Sequence, residues 1–397
     1  MTENYDVVIV GGGIVGAACA AELNGARLRI LVIDAGKVGC GTTGASMGHI
    51  VVMDDSEALL NLTAFSRELW LRLAKDSASA YEYLPCGTLW VAADAEEMDV
   101  VYQKAKNYEE HDIAVEVLDH KSLYQYEPNL AQGLAGGLRV AGDCVIYPPN
   151  CAALLLQGIE VRENCNVCQI SDNLVSLENG SEIHAEFIVN AAGAAAPKLT
   201  AELPVEPRKG HLVITARYPG FCQHQIVELG YLKSVQKMEK ESVAFNIQPR
   251  PSGQYLIGSS REFAGWDDSI NRNLVNRMLT RACDYMPALK EMLAIRTWFG
   301  YRPAPMLSCP PPPHVFLSKT RVGGDAGAGE SKNGGDKLPI IGNWPKVKGL
   351  YIAAGHEGLG ITTSLGTARL LAAEILGQSP PIDPAPYRPS RLFRENR

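Results

Sequence analysis

Apolar residues come in short blocks along the first forty positions. "YDVVIV" at 5–10 is nearly continuous and ends on glycine. Such a run predicts a strand buried on both faces. "GGGIVGAACAAEL" then opens a helix, and "RILVID" predicts a second strand, so residues 5–34 read as one βαβ unit. Farther along, "GHLVITA", "QIVELGYLKSV", "ESVAFNIQP" and "GQYLIGSS" are β-rich runs separated by turn residues. "NRNLVNRMLTRACDYMPAL" has helical spacing. Near the end "LYIAAG" predicts a strand, a glycine turn and a helix starting near Ile361. No internal repeat is present.

Composition narrows the class. The 397 residues are enough for a large core and two domains. Apolar residues make up 46% and charged residues 20%, as in ordinary globular chains. A formal net charge of -7 without a Lys/Arg block argues against nucleic-acid binding. No apolar run approaches the ~20 residues of a membrane span. "MTENYDVVIV" passes straight into the strand pattern, so the expected location is cytoplasmic. The ten cysteines are scattered; Cys165 and Cys168 form one C-x-x-C pair without a second, which reads as reduced thiols and no metal site.

The βαβ unit carries G-x-G-x-x-G at Gly11, Gly13 and Gly16. The first glycine permits the tight turn, the second lets backbone approach a pyrophosphate, and the third lets helix and strand pack closely. Asp34 ends the second strand and is placed to accept from both ribose hydroxyls, which disfavours a 2′-phosphate. The strand–glycine–helix–strand–acid order predicts a Rossmann-like dinucleotide site. The motif alone leaves NAD or FAD open. "GCGTTGASMGHI" at 39–50 favours FAD: this small, hydroxylated, glycine-rich segment suits backbone running beside a large flat ligand, with Thr42, Thr43 and Ser46 as donors.

These stretches resemble the FAD-dependent amine oxidoreductases that include glycine oxidase and D-amino-acid oxidase. "VVIVGGGIVG", "GTTGASMGHI", "AEFIVNAAG" (185–193), "GYRPAP" (300–305), "DKLPIIG" and "LYIAAGHEGLGITTSLGTARLLAAEIL" carry the likeness along nearly the whole chain. It implies an α/β fold: a Rossmann-like FAD-binding domain with a second α+β substrate domain built on a mixed, largely antiparallel sheet. The FAD domain would be assembled from 1–80, 144–205 and 301–397, and the substrate domain from 81–143 and 206–300. The implied FAD contacts are Gly11, Gly13, Ile14, Val15 and Gly16; Asp34 and Ala35; Thr42, Thr43, Ser46, Met47, Gly48 and His49; Val167 and Gly193. A last set, His356, Glu357, Gly358, Leu359, Gly360, Ile361 and Thr362, would lie beside the flavin pyrimidine ring.

The chain departs from the family pattern at three places. "CAALLLQG" leaves only about two helical turns before "NVCQI", whose Val167 is the expected adenine-side backbone contact. Four prolines and a Gly/Ser/Lys run make 306–335 an inserted segment, expected as a flexible loop or a retained non-coding sequence. The turn "GHEGLG" lacks the second arginine of glycine oxidase.

"TWFGYRPAPM" places Arg302 in aromatic company, where a guanidinium needs a partner. The partner is either a protein acid or a ligand. By the resemblance it is the substrate's carboxylate, with His49 and Tyr231 as further substrate-site candidates; Arg261 and Lys233 are the alternative anchors. The implied reaction is FAD-dependent oxidation of a small amino acid to an imine, hydride passing from Cα to flavin N5 with no protein acid or base. "MGHIVVMDD" and "GHEGLGITT" resemble dehydrogenases of D-proline and hydroxy-D-proline and the glycine-oxidising subunits of hydrogen cyanide synthase. The expected partners are a small amino acid and either electron-transfer subunits or a quinone or oxygen acceptor. The alternatives are a flavin-carrying subunit of a multi-subunit dehydrogenase and an inactive flavin-binding relative.

Overall fold

The computed structural model describes residues 3–230, 241–306 and 337–393. Two large sheets organise it. The first holds the βαβ unit: Glu3–Val10 pairs in parallel with Ile30–Ile33 on one side and Glu182–Asn190 on the other. Parallel pairing continues outward to Glu160–Arg162 and to Leu350–Ala354. Ile340–Asn343 closes that edge antiparallel. Val7, Val8 and Ile9 are fully buried because helices cover one face and chain excursions the other. Helix Ile14–Asn24 packs against helix Gly360–Ile375, and Gly16, Ala17, Ala18 and Ala20 keep its buried side thin.

The second sheet is mixed and largely antiparallel. Its order is Ala294–Pro305, Val205–Thr215, Tyr255–Glu262, Glu241–Pro249, Gln225–Glu228, Thr88–Ala92, Gly136–Val140 and Glu116–Asp119. Among the described residues of this sheet only Gln225–Glu228 and Thr88–Ala92 pair in parallel. Leu89, Ile226, Phe245 and Ile247 bury one face under helix Arg272–Tyr285. Ala294–Pro305 lies at the edge, where Pro303 and Pro305 cost no ladder hydrogen bond.

The expected boundaries at 205/206 and 300/301 fall inside two strands that pair along their whole lengths, Val205 opposite Pro305 and Gly210 opposite Gly300. The strand beside Ile30–Ile33 is Glu160–Arg162. Val167–Ser171 belongs to an antiparallel excursion through Leu174–Leu177. The expected short helix spans Pro148–Leu155. Most of the 306–335 segment, with Tyr231 and Lys233, lies outside the described residues.

Candidate active site

A cavity of about 750 Å3 runs between the two sheets. One end is built from glycine turns and the other from side chains around Arg302.

At the glycine end, Gly11 has φ +112°, and a Cβ there would fall 2.5 Å from the Ala191 carbonyl oxygen. A Cβ on Gly16 would fall 1.9 Å from the Gly11 carbonyl oxygen, so this glycine serves packing and does not line the cavity. Gly13 differs: a Cβ there meets only the Thr43 hydroxyl, at 3.1 Å, and would project along the cavity wall. That open approach to a helix N-terminus fits a pyrophosphate. Thr43 Oγ1 accepts from the Ile14 amide at 3.0 Å, leaving its own proton for a ligand. Thr42 and Ser46 instead donate inside the protein, to Tyr301 O at 2.6 Å and Thr43 O at 2.7 Å. Their hydroxyls are thus engaged within the protein, while Thr42, Thr43 and Ser46 all line the cavity.

Asp34 accepts from the Gly12 amide at 2.6 Å and the Gly36 amide at 2.7 Å. It therefore braces the turn, and its remaining lone pairs face the cavity it lines. Ile14, Val15, Ala35, Val167 and Gly193 line the same end.

At the other end, Arg302 stands directly opposite Arg208 in the strand pair. Its Nη1 donates to Ser260 O at 3.0 Å. Gly210 makes room: a Cβ there would fall 2.1 Å from that same Nη1. Trp298 Nε1 donates to Ala45 O at 3.2 Å, which together with the Thr42 bond ties the 39–50 loop to the arginine strand.

Glu357 answers part of the question that Arg302 raised. Its Oε1 lies 3.5 Å from Arg208 Nη1 and 3.5 Å from Arg261 Nε. Burial opposes its ionisation, but the charges of Arg261, Arg302 and Arg208 outweigh it and hold the carboxyl down at about 2. The Glu357 amide donates to Pro303 O at 2.9 Å, so the turn is pinned to the arginine strand. Glu357 has φ +48°, a left-handed conformation that suits glycine better.

Burial pushes His49 down to about 3 and His356 down to about 4, so both imidazoles are neutral. His356 Nε2 lies 3.1 Å from Thr367 Oγ1. Met47, Gly48, His49, His356, Glu357, Gly358, Gly360 and Ile361 line the cavity. Leu359 and Thr362 do not. Thr362 is 1% exposed and bonds the 49–51 segment, donating to His49 O at 3.0 Å and accepting from the Val51 amide at 3.2 Å. Helix Gly360–Ile375 begins at this wall, with its positive dipole end toward the cavity.

Sequence reading missed Asn246, Gly210 and Arg208. "PRKGH" at 207–211 held the signal for two of them, because a glycine two residues from an arginine repeats the "GYR" spacing on the facing strand. Among the described residues no cluster of acids, cysteines and histidines could hold a metal. No helix among them is long and apolar enough to cross a membrane.

The chain is similar to the glycine oxidase of Geobacillus kaustophilus, 27% identical over 98% of each chain. Its crystal structure superposes with a TM-score of 0.82 at 26% identity, covering 99% of this chain and all of that one. The hydrogen cyanide synthase subunit HcnC of Pseudomonas aeruginosa is 26% identical over 100% of this chain and 98% of its own. The D-amino acid dehydrogenase of Xylella fastidiosa is 25% identical over 79% of this chain and 66% of its own. The family model described as "DAO: FAD dependent oxidoreductase" matches residues 6–374. With a glycine cradle that fits a dinucleotide and a match across most of its length, the chain belongs to the DAO family of FAD-dependent oxidoreductases, acts on amino acids or amines, and takes FAD as its cofactor.

Proposed function

We propose that the substrate is a small D- or cyclic amino acid, of the D-proline or hydroxy-D-proline kind, oxidised to the imine. The observation that carries this reading is Arg302, whose guanidinium lies on the cavity wall over Gly210. A planar two-donor fork suits a carboxylate and fixes its orientation as well as its charge. Bound FAD supplies the hydride acceptor. The chain's own residues hold the carboxylate at Arg302 and thereby set where Cα points. Burial disfavours the protonated form of His49 and His356, which makes both weak acceptors for the amine proton and favours its leaving to solvent. The helix N-terminus at Gly360 favours negative charge developing at that wall.

Glu357 occupies the turn in which glycine oxidase has its second arginine. Its carboxylate draws on Arg208 and Arg261 rather than offering a cation to the substrate. This argues against carrying glycine over as the substrate. The likeness of "MGHIVVMDD" and "GHEGLGITT" to D-proline and hydroxy-D-proline dehydrogenases supports the cyclic choice. The full-length similarity to HcnC favours a second reading, in which the chain works as one subunit and passes electrons to a partner.

Purified protein should be yellow. Mixed anaerobically with a panel of amino acids, it should be bleached fastest by D-proline or its hydroxylated forms. Bleaching by glycine alone would overturn the substrate class. Dye reduction without oxygen uptake would favour the dehydrogenase and subunit readings over an oxidase.

A further inference from the structure

The Arg302 end of the cavity has an annex. A second hollow of about 100 Å3 adjoins it, and the two share His49, Asn246, His356, Glu357 and Gly358 as walls. The annex is floored by the second sheet. Trp90, Val227 and Asn246 stand side by side in register across three strands, and Gln225 lies two residues along from Val227 on the same face. All four line the annex. The alternate residues Leu89, Ile226 and Ile247 turn away into an apolar core.

Buried polar groups are normally hydrogen-bonded. Here Asn246 Oδ1, Gln225 Oε1, Trp90 Nε1 and His49 Nε2 are all buried without a partner among the described residues. They comprise two acceptors, one donor and a ring nitrogen that serves as either. His49 is neutral, so this set carries no charge. The charged groups on the opposite wall balance. Glu357 Oε1 is 3.5 Å from Arg261 Nε, and Asp55 and Lys337 each feel the opposite charge of the other. Within the annex lining two acids thus face two bases, while Arg208 and Arg302 lie outside it and are drawn to Glu357.

We propose that the annex receives an uncharged, hydroxyl-bearing side chain of the substrate, with Asn246, Gln225 and His49 recognising the hydroxyl. This rests on the amino-acid reading above and adds the class of side chain. A hydroxyl donates once and accepts twice, which answers orphaned acceptors and the indole donor together. An aliphatic side chain leaves them orphaned. A carboxylate or ammonium sheds its hydration without gaining a counter-charge. Water is the competing occupant, and a hydroxyl replaces it like for like.

The test uses FAD-loaded protein and three unreactive ligands of one skeleton: cyclopentanecarboxylate, 3-hydroxycyclopentanecarboxylate in both cis and trans forms, and cyclopentane-1,3-dicarboxylate. Perturbation of the flavin absorbance gives each Kd. One hydroxy isomer should bind about tenfold or more tighter than the parent acid, and the dicarboxylate weakest. In the Gln225→Met/Asn246→Leu variant the hydroxyl advantage should vanish while the parent acid binds at least as well. Flavin content and melting temperature are measured first; should the double variant misfold, Gln225→Met alone serves the same comparison. Equal binding of hydroxy and parent acids by the unmodified protein overturns the proposal and leaves water as the occupant. So does a dicarboxylate that binds tightest. If no amino acid bleaches the flavin at all, it is the amino-acid reading that fails, a result distinct from either of these.

Discussion

The two ends of the cavity recognise by different means. The glycine end works through backbone: Gly11, Gly13 and Gly16 shape it by having no side chain, and Thr43 and Asp34 satisfy its amides. Its turn and brace lie within residues 11–43, and Val167 and Gly193 join them from farther along the chain. The arginine end works through long side chains brought from far apart: His49, Asn246, Arg261, Arg302 and Glu357. A backbone cradle is written in a contiguous motif. A side-chain cluster is written in strand register, which a linear reading does not display.

The sharpest way to break this contrast is at Gly13. Gly13→Val should abolish FAD binding, because its side chain enters the phosphate approach, while the apoprotein keeps its melting temperature. Gly16→Val should cost the fold itself, since its Cβ meets the Gly11 carbonyl. Flavin content and thermal melts of both variants separate the two roles; equal losses of fold would show that Gly13 too serves packing.

The reciprocal change is at Arg302. Arg302→Ala should lower kcat/KM about ten- to more than a hundredfold, as loss of charged hydrogen bonds worth roughly 1.5–3 kcal/mol predicts. Arg302→Lys should also be impaired, because lysine cannot present the fork. Flavin content should hold in both. Loss of flavin with normal turnover of the remainder would make Arg302 a structural group.

Asp34→Ala tests whether the glycine end is all backbone. It removes the braces to Gly12 and Gly36 as well as any ribose bonds. FAD affinity should weaken by about 1–3 kcal/mol, read as a raised Kd on titrating apoprotein with FAD.

The smallest effect is the share that the arginine end adds to the pH dependence of stability. Folded, His49 and His356 stay neutral to about 3 and about 4, whereas the unfolded chain takes up their protons as pH falls through about 6.5. The unfolded state then binds more protons, so stability falls toward acid by about 1.4 kcal/mol per pH unit for each histidine. Glu357, held at about 2, adds to this loss only once pH drops below its ordinary carboxylate range. Urea denaturation of apoprotein between pH 7.5 and 5.5 should therefore show the histidine slope, and His356→Asn should remove one share of it. An unchanged slope would mean that His356 titrates in the fold as it does in the unfolded chain.

This contrast also sets what could be read in advance. The βαβ unit, the Asp34 terminus and the closing helix were legible because each is local and each residue type answers a local geometric need. Leu359 lines the adjoining annex rather than the main cavity, and Thr362 turns to bond the 49–51 segment. Val167 reaches the cavity from an antiparallel excursion through Leu174–Leu177, while Glu160–Arg162 pairs with Ile30–Ile33. Asn246 and Gln225 carried no local signal; only the pairing of Val227 with both Asn246 and Trp90 puts them in one hollow.

The edge strand makes the molecule very unequal in its tolerance of added residues. Arg302 reaches the cavity because it sits two places from Gly300, in the alternation that Gly210 completes on the facing strand. One residue inserted between Gly300 and Arg302 would turn the guanidinium to the far face and carry the Thr42 anchor at Tyr301 out of step. The segment at 306–335 is thirty residues long, yet it begins just beyond Pro305, the last residue of the pairing with Val205. At that point length is uncoupled from register: residues added past the last pair of this ladder leave its alternation intact, while a single one inside it would not.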